Sequence, residues 1–517
     1  MFKILKDKVL GKNDIKILGH SQDIKLTKSL EKNIELFKKI FNPNETIIFR
    51  KIESRQWKDL KCCMIFVDGM VDKTNIHENM ILPIMNSSNL QKNLKENILD
   101  ILVNKIINAS DVKKQKNVNG LITAILSGNT VVLVEGVNEA LTIDTKKWEQ
   151  RGITEPVAEQ VVRGPREAFT ETIMLNLTLI RRKILSPDLK FQFKEIGART
   201  QTKVCVCYIE GLANKKIIKE VNKRLDDIEI DAILESGYIE ELIKDAPLSP
   251  FATIGNTERP DIVAANLLEG RIAIVVDGTP FVLTLPYLFI EYFQSNEDYY
   301  NNFIYSSISR LLRIFSFFLT TSVPAVYVAL VTFHQEMIPT PLILSISAAR
   351  EGVPFPTIVE ALLMFLAFEI IREGGVRLPA PIGSTIGFVG AIILGQAAVE
   401  ARFVSSPIVI VTALAGITMF LTPKMIGPVI IMRFIFLLLS AFLGLYGYIF
   451  GVIGLFIHLM AIRSFGIPYM INIGDLKMQD IKDTAIRAPW WYMYYRPKLI
   501  GAKDPVRKKN AKIPEKR

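Results

Sequence analysis

The arrangement of apolar and polar positions divides the chain in two. Up to about Arg313, short apolar runs alternate with charge, whereas Ile314 to Ile462 is largely apolar. In the first part, TIIFRKI from Thr46 and CCMIFVDGM from Cys62 read as strands. An amphipathic stretch from about Ile76 to Ile107 reads as helix, and a strand pair, NTVVLVEG and EALTID, follows Gly128. The same order then returns. Phe66-Val-Asp-Gly69 matches Tyr208-Ile-Glu-Gly211, and Ser127 to Gly136 matches Glu269 to Gly278, both at a shift of 142 residues. Two motif pairs at one offset predict two copies of one α/β unit, giving tandem subdomains over 46–160 and 195–300. The acid-glycine pairs that end these strands (Asp68-Gly69, Glu135-Gly136, Glu210-Gly211, Asp277-Gly278) suit either ligands or turns. Turn chemistry is favoured, because a paired position exchanges Asp for Glu.

Residues 1–45 form a lysine-rich arm, and 161–194 a linking region containing VVRGPREAFTETIMLNLTLIRRKI. There Gly164-Pro165 breaks the chain, and Phe169, Ile173, Leu177, Ile180 and Ile184 then recur at helical spacing. The helix ends in Arg181, Arg182 and Lys183, which suits its dipole. It is a strut between the copies or a coupling element, with Arg163 and Arg166 offering forks for carboxylates. The aromatic segment LPYLFIEYFQSNEDYYNNFIYSSISRLLR, ending in Arg310 and Arg313, suits a membrane interface.

The apolar part predicts a helical membrane domain over 301–470. It holds about six spans (four at the least), near 314–334, 355–371, 383–401, 404–421, 428–446 and 448–463. The last two share one apolar run, with GLYGYIFG as the turn signal. Lysines and arginines fall mostly on one side of a six-span arrangement, which places both termini in the cytoplasm, with Arg350 and Arg402 as exceptions. The apolar loop 335–356 is a re-entrant candidate. On the third span Thr385, Val389, Ile392, Ile393, Gln396 and Glu400 share a face, polar near its ends and branched-aliphatic in the middle. Gly387, Ala391 and Gly395 form another face on which a helix can pack closely. That division suits a pore-lining helix gated by dewetting, and ordinary helix packing would also give the small-residue face. Glu360 and Glu369 fall on opposite faces of the second span near its ends, so they do not form one site. Glu369 and Glu373 share a face and suit a cytoplasmic mouth.

Composition narrows the function. The formal charge of +11 is concentrated in the N-terminal arm and in the basic tail, 471–517. An anionic membrane surface accounts for such flanks, and there is no nucleic-acid motif. The N-terminus lacks a signal-peptide core, so the first half is expected to stay in the cytoplasm. Cys62, Cys63, Cys205 and Cys207 give no C-x-x-C pair and read as buried, reduced thiols; Cys205 and Cys207 alternate onto one strand face. The four histidines are scattered, with His334 and His458 near span ends, and no Walker loop or nucleophile-base motif is visible. Neither an enzyme nor a bound cofactor or metal is expected.

The blocks VRGPREAFTETIMLNLTLIRRKI, RPDIVAANLLEGRIAIVVDGTPFVLTLPYLFIEYFQSNEDYY, AREGVPFPTIVEALLMFLAFEIIREGGVRLPAPIG and GQAAVEA closely resemble the A subunits of the GerA family of spore germinant receptors. The resemblance covers about 45 to 490. It implies a multi-pass protein of the endospore inner membrane, partnered by a transporter-like, nutrient-binding B subunit and a lipoprotein C subunit. It also implies self-association, as pentamers, into a nutrient-gated channel for monovalent cations. The motif positions carried over are Arg163, Gly164, Pro165, Arg166 and Glu167, then Arg259-Pro-Asp261, and Glu351 to Pro356 with Pro354 between. Glu360, Glu369 and Glu373 are assigned to a vestibule or subunit contact. Two rival readings are an accessory paralogue associated with dipicolinic-acid release, and a secondary transporter with a cytoplasmic regulatory domain. The inverted repeat between spans expected of such a transporter is not seen.

Overall fold

The computed structural model describes residues 25–57, 60–87, 97–109, 111–147, 156, 159–378, 390, 393–470, 483–493, 495–496 and 506–507. The first half is α/β. One sheet holds β1 (Ile47–Glu53), β2 (Lys61–Val67), β3 (Val112–Gln115), β4 (Thr130–Val134) and β5 (Ala140–Ile143), in the order β1-β2-β4-β5-β3. The other holds β6 (Leu189–Ile196), β7 (Thr202–Ile209), β8 (Gly255–Thr257), β9 (Ile272–Val276) and β10 (Val282–Leu285), in the order β6-β7-β9-β10-β8. Every pairing in both sheets is antiparallel.

Helices cover both faces of each sheet, which is why the central strands are apolar on both sides rather than alternating. In the first unit, α1 (Leu30–Phe41) and α2 (Val118–Leu126) pack on the face that carries Cys63, Ile65 and Val67. Cys62, Met64 and Phe66 point the other way, toward helical pieces over 73–86 and 98–106. The helix expected over Ile76–Ile107 is therefore interrupted: Ser87 turns extended (ψ 132°) and accepts a hydrogen bond from Ser54 Oγ at 2.8 Å. In the second unit α3 (Ile173–Lys183) and α6 (Pro260–Leu268) cover the face of Cys205 and Cys207, while α4 (Lys215–Asp226) and α5 (Ser236–Ile243) cover Val204 and Val206.

The acid-glycine pairs serve turns and helix starts. Gly69, Gly136, Gly211 and Gly278 all lie at φ between +81° and +91°, where a side chain is strained. Glu135 Oε2 accepts the Leu30 N–H at 2.8 Å, and Asp277 Oδ1 accepts that of Ile173 at 3.0 Å. A carboxylate there satisfies a free helix N–H and meets the positive end of the dipole. Thus the end of the lysine-rich arm is the first helix of the first unit, and the helix of the linking region occupies the corresponding place in the second. That helix also reaches across, with Thr178 against Gly69. The free edge of β6 is occupied by the turn before β1: Glu45 N donates to Phe191 O (3.4 Å), and Lys190 Nζ reaches Ile40 O (3.2 Å).

The second half is helical: α7 (Phe303–Phe333), α8 (Thr340–Arg350), α9 (Thr357–Arg377), a helical stretch at 393–400, α10 (Ser406–Met419) and α11 (Ile426–Ala461). Among the described residues two helices, Phe303–Phe333 and Pro423–Ala461, are long and apolar enough to cross a membrane. The segment expected at 404–421 forms only the 14-residue α10. The loop 335–356 contains α8, and the first apolar helix begins eleven residues earlier than the expected 314 because Asn302 caps it through the Ile304 N–H.

The last apolar run turns back on itself. Gly444 sits at φ +60°, ψ −142°, and the rings of Phe436 and Tyr448 lie 5.8 Å apart. Twelve residues of straight helix would separate them by about 18 Å. The chain therefore reverses at the first residue of GLYGYIFG, and the tip abuts Phe333 and His334 at the end of α7.

Candidate functional site

The two halves are joined between β10 and α7, where a run of aromatics (Tyr287, Phe289, Tyr292, Phe293) packs edge-to-face on itself and on Phe317 of α7. Beneath them, ions fix the direction in which α7 leaves. Asp298, buried, takes Arg310 Nε at 3.2 Å and Arg313 Nη2 at 2.5 Å, and Arg310 Nη1 also reaches Asp483 at 3.0 Å. Burial pushes the Asp483 carboxyl above the usual aspartate range, against the pull of Arg310. Arg310 is buried in these ion pairs, and Arg313 is partly buried.

The chain is tied a second time on its return from α11. Ser464 Oγ donates to Thr253 O (2.7 Å) and accepts from Tyr287 N (3.1 Å). Phe465 N donates to Asp245 Oδ2 (2.6 Å), while its ring enters the core of the second unit under Arg224. Tyr469, fully buried, donates to Ala252 O at 2.8 Å. A third tie is Lys424, between α10 and α11, which pairs with Glu159 at 2.5 Å.

Glu159 leads into the Gly164-Pro165 segment, held by a buried arginine. Arg259 forks onto Asp261 (2.9 and 3.2 Å) and donates to the carbonyls of Glu159 (3.2 Å) and Pro165 (2.9 Å). Asp261 in turn accepts from Asn296 and Tyr300, each at 2.6 Å. Gly164, at φ +145°, lies against the Tyr300 ring, where an added Cβ would come within 2.8 Å. Arg259 makes in this segment a carboxylate fork of the kind expected from Arg163 or Arg166. Arg163 and Arg166 have exposed side chains, and the Arg163 N–H donates to Glu297 at 3.2 Å. Glu167 pairs with Lys183 at 3.1 Å and Arg182 at 3.6 Å, tying this segment to α3.

The acids of α9 stand apart, as their spacing requires. Glu360 is fully buried; its Oε2 accepts from Ser405 N (2.8 Å) and Oγ (2.7 Å), and Arg350 lies 3.5 Å from its other oxygen. Glu369 pairs with Arg372 and Arg433, and exposed Glu373 with Arg377. Glu351, Pro354 and Pro356 are exposed where α8 passes to α9, beside a stacked pair of Phe355 and Phe403. Of the proposed gate, Thr385, Val389 and Ile392 lie outside the described residues. Ile393, Gln396 and Glu400 are exposed on the stretch 393–400, and Gly395 lies 3.8 Å from Val409 of α10, measured from an added Cβ.

Asp298, Asp483, Arg433, Ser464 and Tyr469 were missed in the sequence. Only Arg433 carried a signal, as the sole formal charge between Lys424 and Arg463.

A family model described as Bacillus/Clostridium GerA spore germination protein matches residues 35–499. Spore germination protein KA of Bacillus subtilis is 44% identical over 492 residues, covering 95% of this chain and 90% of the relative. Spore germination protein GerLA of Bacillus cereus is 40% identical over 449 residues, covering 86% and 90%. The N-terminal domain of the A subunit of the Bacillus megaterium spore germinant receptor GerK3 is a solved structure 38% identical to this chain; it covers 52% of this chain and 99% of its own, with a TM-score of 0.42. From the first helix of the first unit to the tail that packs beneath α7, the matched residues span both halves and all three ties, and the chain belongs to the GerA family of spore germination proteins.

Proposed function

We propose that this chain is the A subunit of a nutrient germinant receptor, whose helical half assembles into a cation channel opened when nutrient binds a transporter-like B subunit. The observation that carries this reading is the triple tie. The second sheet unit holds the start of α7 and the return from α11, and through Arg259 it holds the Glu159 segment that pairs with Lys424, so a displacement of that unit moves three points of the helical half together. Packed elements with such links transmit discrete shifts rather than continuous bending.

In this reading the two sheets, with their common strand order, are copies of one unit that serve assembly and coupling. The protein works without catalysis. The helical half crosses the endospore inner membrane several times, with the two limbs of α11 as separate spans, and both termini face the spore core. Five copies surround a pore, with a lipoprotein C subunit alongside. The exposed Ile393, Gln396 and Glu400, together with Thr385, Val389 and Ile392, line the conduit, and its apolar centre is the constriction.

The test is cation flux through liposomes containing the complete receptor. Wild type should conduct only with nutrient, whereas Ile393→Ser or Val389→Ser should leak without it and make spores germinate spontaneously. Normal gating in both variants would remove the gate from this helix. No flux from the wild-type receptor with nutrient would remove the channel.

A further inference from the structure

The edge strands β3 and β8 hold the same place in their sheets, and each is entered from a helix. In the first unit the helical piece ending at Ile106 reaches β3 through 107–111. In the second, α5 ends at Ile243 and β8 begins at Gly255, so the connection, 244–254, is longer. The extra length meets the helical half. Phe251, Ala246 and Ala252 pack with Leu455 and Leu459 of α11, and the carbonyls of Ala252 and Thr253 take Tyr469 and Ser464.

Between those contacts the tip, Pro247-Leu248-Ser249-Pro250, leaves its leucine bare: Leu248 is 99% exposed. A single exposed leucine is ordinary on a surface, but this one is held in a defined place. Ser249 Oγ meets His458 Nε2 at 2.9 Å and accepts the Phe251 N–H at 3.3 Å, and the Phe251 ring lies 6.3 Å from that of His458. Proline on either side restricts the tip further. His458 belongs to the last turn of α11, where Ile457 and Met460, 64% and 58% exposed, form the outer surface. Leu248 therefore stands level with the final apolar turn of α11, next to a polar pair, and exposed Arg463 follows just past the helix end. A basic residue and polar groups at the end of an apolar helix mark the depth of lipid headgroups.

We propose that the tip 247–250 is a membrane-contact loop of the second unit, with Leu248 entering the boundary between headgroups and acyl chains. The inference rests on the membrane-spanning reading of α11. The partner is the lipid surface, because the apolar surface that Leu248 extends is the outer face of α11, and that face meets acyl chains in this reading. Ser249, His458 and Arg463 then lie among the headgroups. The loop fixes the height of the second unit over the bilayer beside the second tie, and the shorter connection of the first unit provides no counterpart to these contacts.

The experiment uses full-length protein in vesicles of phosphatidylcholine and phosphatidylglycerol, with and without lipid bearing a nitroxide on its acyl chain near the headgroup. The four native cysteines are buried, so a bimane fluorophore is attached in turn to Leu248→Cys, Ile457→Cys and Leu234→Cys. Leu234, 63% exposed, is the aqueous reference: its neighbour Glu235 accepts from Thr279 at 2.9 Å, past the end of β9 that lies away from the junction. Bimane at 248 should emit at shorter wavelength than at 234 and lose most of its emission to the nitroxide, as at 457. With the fluorophore on Pro247→Cys, Leu248→Asp should abolish that quenching and Leu248→Phe should keep it. Emission at 248 that matches 234, or quenching unchanged by Leu248→Asp, would overturn the proposal. So would cross-linking of a photoreactive residue at 248 to a second copy of the chain, or to another protein, in place of lipid. Quenching at 457 without quenching at 248 defeats only the loop, whereas none at 457 defeats the membrane reading of α11 itself.

Discussion

Glu369 and Arg433 meet at 2.6 Å between α9 and the first limb of α11. Arg433 is fully buried, with its guanidinium 4.2 Å from the Phe365 ring, and Arg372 holds the other Glu369 oxygen at 2.7 Å. In apolar surroundings, removing one partner strands a charge, while replacing both need not cost stability. Glu369→Leu should therefore destabilise the protein by about 3–5 kcal/mol. The double variant Glu369→Leu with Arg433→Met should recover much of that loss. Thermal unfolding of purified full-length protein in detergent reads both, and a neutral single variant would show that the pair holds nothing together.

Arg259 should be irreplaceable by lysine. Its fork meets Asp261 through two nitrogens and reaches two carbonyls besides, a geometry a single ammonium does not reproduce. In Arg259→Lys the segment around Gly164 should loosen, and trypsin should cut after Arg163 several times faster, by roughly the factor of ten that 1.4 kcal/mol gives. Cleavage at the wild-type rate would mean that the segment is held by Tyr300 and Glu297 alone.

The reversal at Gly444 predicts a cross-link. Cysteines replacing Phe436 and Tyr448 should join through a short bis-maleimide, because the native rings are 5.8 Å apart. Gly444→Val should weaken that cross-link, since φ +60° is strained for a branched side chain and its Cβ would come within 2.9 Å of His334. A straight helix, with the two positions about 18 Å apart, would give no product.

Burial pushes the Cys62 thiol up to about 12 and the Cys63 thiol up to about 11, so neither supplies thiolate near neutrality. Native protein at pH 8 should resist iodoacetamide at both positions and react on unfolding. Because folding raises these values above the ordinary 9.0, the folded state binds these protons more tightly. Their contribution to stability is complete below pH 9 and declines as pH rises toward 11 and 12. Rapid labelling of native Cys62 would contradict its burial between the sheet and its helices.

Periodicity and local spacing by themselves determined much of this protein. Alternation placed Cys205 and Cys207 on one face of β7. Three glycines in GLYGYIFG marked the reversal in α11, and the nine-residue interval kept Glu360 and Glu369 in separate sites. These are properties of consecutive residues, set by backbone sterics and side-chain direction. The tertiary structure alone decided which distant groups meet. Leu30 finds Glu135 across 105 residues, Arg433 finds Glu369 across 64, and Ser464 finds Thr253 across 211. No spacing rule anticipates such partners, because a buried ion or polar group takes whichever complement the packing of whole elements brings within about 3 Å. That is why the partners of Arg310 and Arg313 at the footing of α7 could not be read from the chain.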